Sequence, residues 1–149
     1  MDQTSTGKTD TVKLDDFLCF AIYSANHALN RVYKPLLDEI GLTYTQYIAM
    51  VTLWEQDDRT VGSLGEKLFL ESSTLTPVLK RLEGLGLIAR TRDKTDERQV
   101  RVQLTAAGRA LQARAKAIPP CILDASGLEV EELARLKEEI ATLRSSLLR

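Results

Sequence analysis

The chain has 149 residues, with 20 Lys and Arg against 21 Asp and Glu, and a formal net charge of −1 at pH 7. This length supports one substantial hydrophobic core, and the near-neutral charge disfavours indiscriminate binding to polyanions. Residues 1–12 are polar, without the apolar segment of a secretion signal, and no later window resembles a membrane span. We therefore expect a mobile tail at residues 1–12, one domain over residues 13–149, no membrane partner and a cytoplasmic location.

Metal and cofactor chemistry has little support in the sequence. His27 is the only histidine, the two cysteines lie far apart, and no Gly-rich segment has the spacing of a phosphate-binding loop. We therefore expect no metal site and no cofactor.

The first predicted element is a long amphipathic helix. Its apolar residues recur at helical spacing from about Lys13 to beyond Tyr33, which places Cys19 deep within the helix. A second apolar stripe runs along the Glu-rich C-terminal segment. A small domain has no obvious place to bury both stripes, so we predict dimerisation helices at about 13–40 and 119–148 and an obligate homodimer.

Two capping signals open the middle of the chain. Thr43 and Gln46 have the spacing of a capping box, which predicts that a helix begins there. Thr60 can cap a second, shorter helix, after which Phe69 and Leu70 are expected to return the chain to the core. The whole region at about 43–105 reads as a winged helix-turn-helix.

The second helix of the helix-turn-helix is predicted to begin near residues 71–73. Pro77 is expected in its first turn, where a missing backbone N–H costs little, and Gly86 is placed to end it. Its predicted buried stripe is formed by Leu75, Leu79, Leu82 and Leu85. The opposite face carries hydroxyls and cations that suit a DNA major groove and its phosphates, namely Ser73, Thr74, Thr76, Pro77, Lys80 and Arg81.

A two-stranded hairpin is predicted to follow. Residues 88–92 and 99–104 both alternate apolar and polar side chains, and residues 93–96 have turn chemistry. The hairpin has basic edges that include Arg90 and Arg92. Between residues 80 and 101 there are seven basic and four acidic side chains. A basic patch on a neutral protein favours site-specific DNA binding, although charge alone would also fit an ordinary solvated surface.

The fold class is therefore mainly α with a small β wing, and the wing resembles that of the MarR family of bacterial transcriptional regulators. Asp96-Glu97-Arg98 is similar to the acidic-x-Arg signature of that family, and 104–108 to its Leu-Thr-x-x-Gly motif. The resemblance implies that Arg98 enters the minor groove of DNA, steadied by Asp96. The alternative is an exposed ion pair that contributes little.

Cys19 is the candidate switch, although a lone cysteine among apolar residues usually only packs. Tyr33 lies 14 positions later, which is about 21 Å along one straight helix, so the two cannot touch within one chain. If the first helices of two subunits cross antiparallel, Tyr33 of one subunit can lie over Cys19 of the other, where its hydroxyl could donate to the sulfur.

Three segments narrow the resemblance to the organic-hydroperoxide-sensing repressors of the MarR family. These segments are residues 18–25, 33–37 and 42–47. The resemblance implies that Cys19 reacts with organic hydroperoxides and that Tyr33 and Tyr44 of the partner subunit hydrogen-bond it. By similarity to two-cysteine members, oxidised Cys19 forms an intersubunit disulfide with Cys121, which would release DNA. If Cys121 only fills a gap, oxidised Cys19 should instead pair with a small cellular thiol.

Three rival functions stay open at this stage. A ligand-responsive MarR repressor would bind a small aromatic effector and leave Cys19 as packing. A thiol peroxidase would use Cys19 as its attacking group but would have no use for a wing, so we do not expect an enzyme. An architectural DNA-binding protein would lack sequence preference, whereas a repressor dimer is expected to recognise a near-palindromic operator in double-stranded DNA.

Overall fold

A computed structural model describes residues 12–149, so the predicted mobile tail, apart from Val12, lies outside the described residues. The helices are α1 (Leu18–Asp38), α2 (Tyr44–Glu55), α3 (Val61–Leu68), α4 (Ser72–Gly84), α5 (Ala106–Ala115), α6 (Ile118–Ser126) and α7 (Val130–Leu147). The strands are β1 (Arg59–Thr60), β2 (Ile88–Arg92) and β3 (Val100–Leu104). The mainly helical fold with a small β wing, predicted from sequence, is confirmed. No helix within residues 12–149 combines the length and apolar character that crossing a membrane requires.

The first helix begins later than its apolar periodicity predicts. Leu14–Asp16 forms a separate 3-10 turn, and Phe17 is extended, with φ −86° and ψ 118°. The prediction that Cys19 lies deep within a helix is therefore wrong, because Cys19 lies in the first turn of α1. Its spacing from Tyr33 is unaffected, since both residues lie on α1. Apolar residues continue through the 3-10 turn, so periodicity alone could not locate the break.

Side-chain caps fix the starts of α2 and α3. The Thr43 hydroxyl accepts from the backbone N–H of Gln46 at 3.3 Å, while Gln46 accepts from the backbone N–H of Thr43 at 3.0 Å. This arrangement confirms the predicted capping box. The Thr60 hydroxyl accepts from the backbone N–H of Ser63 at 3.1 Å and caps α3 as predicted.

The turn between α3 and α4 is built on a left-handed residue. Phe69 has φ 57° and ψ 39°, which a non-glycine residue seldom adopts. Its ring is 56% exposed rather than returned to the core, which corrects the sequence prediction. The guanidinium carbon of Arg144, in the last turn of α7, lies 4.1 Å from the ring centroid. A cation–π contact therefore joins the end of α7 to the helix-turn-helix.

Helix α4 begins at Ser72 and is closed by the left-handed Gly86, as predicted, but Pro77 and Leu85 do not lie where the sequence placed them. Pro77 is its sixth residue and not in its first turn, so Pro77 cannot donate to the carbonyl of Ser73 and the helix lacks one internal hydrogen bond. Leu75, Leu79 and Leu82 are fully buried, as predicted, but Leu85 is 53% exposed. The helix ends at Gly84, and the turn through Gly86 at φ 77° carries Leu85 away from the buried stripe.

The sheet has three strands in the order β1-β3-β2, all antiparallel. Strands β2 and β3 form the predicted wing, with Ile88 opposite Leu104 and Arg92 opposite Val100. No sequence pattern predicted β1, which has only two residues and places Thr60 opposite Arg101. This short strand attaches the wing to the start of α3.

The Leu-Thr-x-x-Gly segment joins the wing, the end of α4 and α5. The Thr105 hydroxyl donates to the carbonyl of Gly86 at 2.6 Å and accepts from the backbone N–H of Gly108 at 3.1 Å. The Thr105 N–H donates to the carbonyl of Leu87 at 3.0 Å. Trp54 of α2 donates its indole N–H to the carbonyl of Gly108 at 2.9 Å. Four elements, α2, α4, β3 and α5, therefore meet at one short backbone segment.

The C-terminal part of the chain contains two breaks. Helix α5 ends at Ala115 and α6 begins at Ile118, so Pro119 and Pro120 lie in the first turn of α6. The break between α5 and α6 lies just before the two prolines, because prolines are readily accommodated in a first helical turn. Gly127, at φ 68°, then separates α6 from α7.

We expect Gly108→Ala to destabilise the fold, because a Cβ at this position would overlap the carbonyl oxygen of Leu87. Overpacking of this kind costs about 1–3 kcal/mol of unfolding free energy, which urea denaturation measures. Gly84→Ala is the matched control, because no atom lies within 4 Å of its added Cβ. At the end of α4 it should be neutral or stabilise the fold by up to about 1 kcal/mol. Equal effects of both substitutions would contradict the proposed crowding.

Candidate DNA interface and thiol site

A cleft of about 380 Å³ separates α4 from the wing. Thr76 lines it from α4, Arg90 from β2 and Arg98 from the wing tip. Three of the predicted DNA-contacting residues therefore share one concave surface. Guanidinium groups on such a concave surface can bind phosphate oxygens.

The outward face of α4 is accessible along its length. Pro77 and four polar residues are exposed, namely Ser73, Thr74, Lys80 and Arg81. The Thr76 hydroxyl instead donates to the carbonyl of Ser72 at 2.7 Å, so its proton is not available to a phosphate. Arg81 also lines a second cavity of about 560 Å³, with Asp38 of α1 and Gln46 of α2. Arg81 is therefore a predicted DNA residue that also borders the first helix.

Arg90 is held by Glu83 of α4, the recognition helix of the helix-turn-helix. Its guanidinium Nη2 and Nε lie 3.0 and 3.3 Å from Glu83 Oε1, and its backbone N–H donates to Glu83 Oε2 at 3.3 Å. These hydrogen bonds lower the pKa of Glu83. No sequence pattern predicted this role of Glu83, which in the sequence is only one of four acidic residues between residues 80 and 101. The contact joins the end of α4 to strand β2.

The wing tip presents a highly accessible cation. The side chain of Arg98 is 92% exposed, and its Nε lies 3.2 Å from Asp96 Oδ1. Asp96 Oδ1 also accepts from the backbone N–H of Arg98 at 3.1 Å. The two residues lie in the loop between β2 and β3 and not on a strand, so a turn holds them together. Arg92, exposed on β2, donates to the carbonyl of Glu97 at 3.3 Å.

The two cysteines are free and exposed. Cys19 lies in the first turn of α1, among backbone N–H groups that have no intrahelical partners, and Cys121 lies in the first turn of α6. Helix α6 packs against α1 of the same chain. Both thiols are therefore accessible on the packed pair of helices α1 and α6.

Tyr33 and Tyr44, predicted to act together, do lie together. Their ring centroids are 5.0 Å apart, and Tyr33 also packs against Tyr47 at 6.1 Å. They line a cavity of about 460 Å³ with Asn30 and other residues of α1. Burial, with the neighbouring Tyr44 and Tyr47, raises the pKa of Tyr33 to about 12. Its hydroxyl keeps its proton at neutral pH and can donate a hydrogen bond.

Helices α1 and α7 leave an open apolar groove between them. Its volume is about 550 Å³, and its apolar lining residues are Leu18, Ala21, Ile22, Ala25, Leu29, Leu136, Ile140 and Leu143. Leu18 is 61% exposed and Leu136 45% exposed. The first and last helices thus carry the unpartnered apolar faces that their sequences predicted.

Comparison with known proteins identifies the family. The family model for the transcriptional regulator SarA/Rot matches residues 31–114. The organic hydroperoxide resistance transcriptional regulator of Bacillus subtilis is 45% identical, over 94% of this chain and 95% of that protein. The chain belongs to this MarR-like family of winged-helix transcriptional regulators. The predicted resemblance to the hydroperoxide-responsive MarR proteins is confirmed.

Two further members of the MarR-like family are similar over most of the chain. The HTH-type transcriptional regulator TtmR of Methylorubrum extorquens is 42% identical over 97% of this chain and 74% of that protein. The structure of reduced AbfR bound to DNA, a protein from Staphylococcus epidermidis, is 36% identical with a TM-score of 0.75. The match covers 91% of this chain and 95% of that one. The structure of disulfide-formed AbfR matches 90% of this chain and 89% of that one, at 36% identity and with a TM-score of 0.60.

We expect Arg98→Gln to weaken binding to double-stranded DNA by about 1–3 kcal/mol, because a wing cation whose side chain is 92% exposed would be lost. Its binding constant, measured from 50 to 200 mM salt by fluorescence anisotropy, should lose about 0.9 per substituted subunit, or about 1.8 for a dimer, from the slope of log K against log salt. Lys137→Gln on α7 removes the same charge away from the wing and should change neither quantity. Equal slopes for the two variants would contradict a wing contact.

We expect one tyrosine to titrate near pH 12 by ultraviolet absorbance, and Tyr33→Phe to remove that transition. Folding raises the pKa of Tyr33 above the ordinary value of 10, so the protonated hydroxyl contributes to the free energy of unfolding. This contribution is fully present below pH 10 and is lost as the pH rises through about 12. Titration of every tyrosine near pH 10 would show that the Tyr33 hydroxyl is not buried as described.

Proposed function

We propose that this regulator is a repressor that releases its operator when Cys19 is oxidised by an organic hydroperoxide. The observation that carries the proposal is the placement of the exposed Cys19 thiol and the Tyr33–Tyr44 pair toward opposite ends of α1. Antiparallel pairing of two α1 helices brings the thiol of each subunit to the tyrosines of the other. The tyrosine hydroxyls then donate to the Cys19 sulfur.

A homodimer is part of the same proposal. Exposed apolar side chains on α1 and α7 line one groove, and a second copy of the chain covers them. The domain over residues 13–149 is thereby divided into dimerisation helices at about 13–40 and 119–148 and a DNA-binding part at about 43–105. Two recognition helices related by a twofold axis then read a near-palindromic site in the major groove.

The redox step needs only the peroxide as oxidant. The Cys19 sulfur attacks the distal oxygen of ROOH, an S–O bond forms, the O–O bond breaks, and the alkoxide leaves as ROH with a proton. The sulfur loses the two electrons that the peroxide gains. The thiolate of Cys121 from the other subunit then attacks the sulfenic sulfur, an S–S bond forms, and hydroxide leaves as water. Cellular thiols reverse the oxidation, which together with DNA binding gives a cytoplasmic location.

Disulfide formation links this chemistry to DNA release through distance. A disulfide requires the two Cα atoms to lie about 6 Å apart, so α1 of one subunit and α6 of the other must approach. Their movement changes the separation of the two recognition helices, which a rigid duplex cannot follow. The TM-score is lower with disulfide-formed AbfR, 0.60, than with reduced AbfR on DNA, 0.75, which supports a change of conformation within each subunit on disulfide formation.

A ligand-responsive repressor is the second candidate. The cavity of about 560 Å³ beneath Arg81 lies between α1, α2 and the end of α4, where a small aromatic acid would affect DNA binding directly. In that case Cys19 and Cys121 only pack, and oxidation leaves DNA binding intact.

The deciding experiment treats the dimer with cumene hydroperoxide and measures disulfide formation on a non-reducing gel, with DNA binding in parallel. Duplexes enriched from a random library by the reduced protein serve as the operator. We expect a covalent dimer and loss of DNA binding in the unmodified protein, no covalent dimer in Cys19→Ser or Cys121→Ser, and full resistance of DNA binding in Cys19→Ser. DNA binding that survives oxidation in the unmodified protein would reject the redox function and favour the ligand-responsive one.

A further inference from the structure

Arg101 is the one cation of the basic segment whose guanidinium bridges two carboxylates within the described residues. Its Nε lies 2.8 Å from Asp58 Oδ1, and its Nη2 donates to the backbone carbonyl of Asp58 at 2.9 Å. Its Nη1 lies 2.9 Å from Asp93 Oδ2. All three guanidinium nitrogens of this β3 residue are therefore engaged inside the protein.

The two carboxylates come from different parts of the fold. Asp58 lies in the loop between α2 and β1 and has a left-handed backbone, with φ 58°. Asp93 is the first residue of the wing tip and is only 8% exposed. Hydrogen bonds lower the pKa of both carboxyl groups, from Arg101 at Asp58 and from Thr95 and then Arg101 at Asp93, so both stay ionised at neutral pH. Arg101 thus fixes the wing tip to the body of the helix-turn-helix.

Asp93 passes this constraint to the rest of the tip. Its second oxygen, Oδ1, accepts from the backbone N–H of Thr95 at 2.8 Å, from the Thr95 hydroxyl at 2.7 Å and from the backbone N–H of Asp96 at 3.4 Å. Its own N–H donates to the carbonyl of Gln99 at 2.9 Å, which closes the base of the loop. Both oxygens of one carboxylate therefore connect Arg101 to the loop backbone.

Asp96 completes the path to the exposed cation. Its Oδ1 accepts from both the backbone N–H and the Nε of Arg98. A continuous set of contacts consequently runs from Asp58 through Arg101, Asp93 and Asp96 to Arg98. We propose that Arg101 is a positioning residue for DNA binding, one that sets the place of Arg98 without itself contacting DNA.

Charge supports a positioning role over a phosphate contact. The cluster of Asp58, Arg101 and Asp93 holds two carboxylates and one guanidinium, so its formal charge is −1. A cluster with that charge gives a phosphate no net attraction. The Arg101 side chain is also only 33% exposed, against 92% for Arg98.

This inference rests on the proposed use of Arg98 at the DNA, and Asp93→Asn provides a test of sign. Removing a negative charge beside DNA should tighten binding if only the local charge matters. If Asp93 positions the tip, binding should weaken about tenfold, because Asn cannot hold the Arg101 guanidinium as an ion pair. Affinity for the library-enriched duplex is measured by fluorescence anisotropy at fixed salt. Equal or tighter binding by Asp93→Asn overturns the proposal.

A double-mutant cycle provides the second readout. We expect Arg101→Gln to weaken DNA binding about tenfold alone but less than twofold when Arg98→Gln is already present, since there is then no Arg98 to position. Hydroxyl-radical footprints of Arg101→Gln should lose minor-groove protection at the flanks and keep the protected centre. Additive effects, or loss of the whole footprint from a protein whose thermal unfolding is unchanged, overturn the proposal. If Arg98→Gln alone leaves affinity unchanged, it is the proposed wing contact that fails, and the positioning role falls with it.

Discussion

The junction at Thr105 and Gly108 is the constraint on which the geometry of the whole DNA-binding part depends. One hydroxyl joins the turn after α4 to the start of α5, and the absent side chain of Gly108 lets α5 approach the carbonyl of Leu87. The recognition helix, the wing and the helix that leads toward the dimer region are therefore held within one short segment of backbone. A displacement of α5 is felt directly at the end of α4, because the contact consists of hydrogen bonds and close packing with no adaptable side chain between them.

The wing is held by two different arrangements of charge. At its base, Glu83 holds Arg90 against the end of α4, and at its tip Asp58 and Asp93 hold Arg101. Arg90 and Arg101 are used in these pairs, whereas Arg92 and Arg98 are exposed. A count of positive charges in the sequence therefore overstates the number of free cations, because several of them stabilise the scaffold that presents the others.

Local rules predicted much of the molecule. Caps at Thr43 and Thr60, the alternation of the wing strands and the spacing of Leu75, Leu79 and Leu82 all depend on near neighbours in sequence, and the structure confirms them. The start of α1 was wrong because apolar spacing persists through a 3-10 turn. Glu83 and Asp58 were missed because each contacts its arginine only in the folded chain. A local sequence pattern does not show which residues come close in the tertiary structure.

The position of Trp54 also gives the molecule a built-in spectroscopic probe. It is the only tryptophan of the chain, and its indole N–H binds the Gly108 carbonyl while its ring packs 6.4 Å from that of Tyr47. Its fluorescence emission therefore reports polarity and hydrogen bonding at the contact between α2 and α5. Separation of these helices would expose the indole to water and shift its emission to the red. A change in the packing of α2 against α5 can therefore be followed in real time without an attached dye.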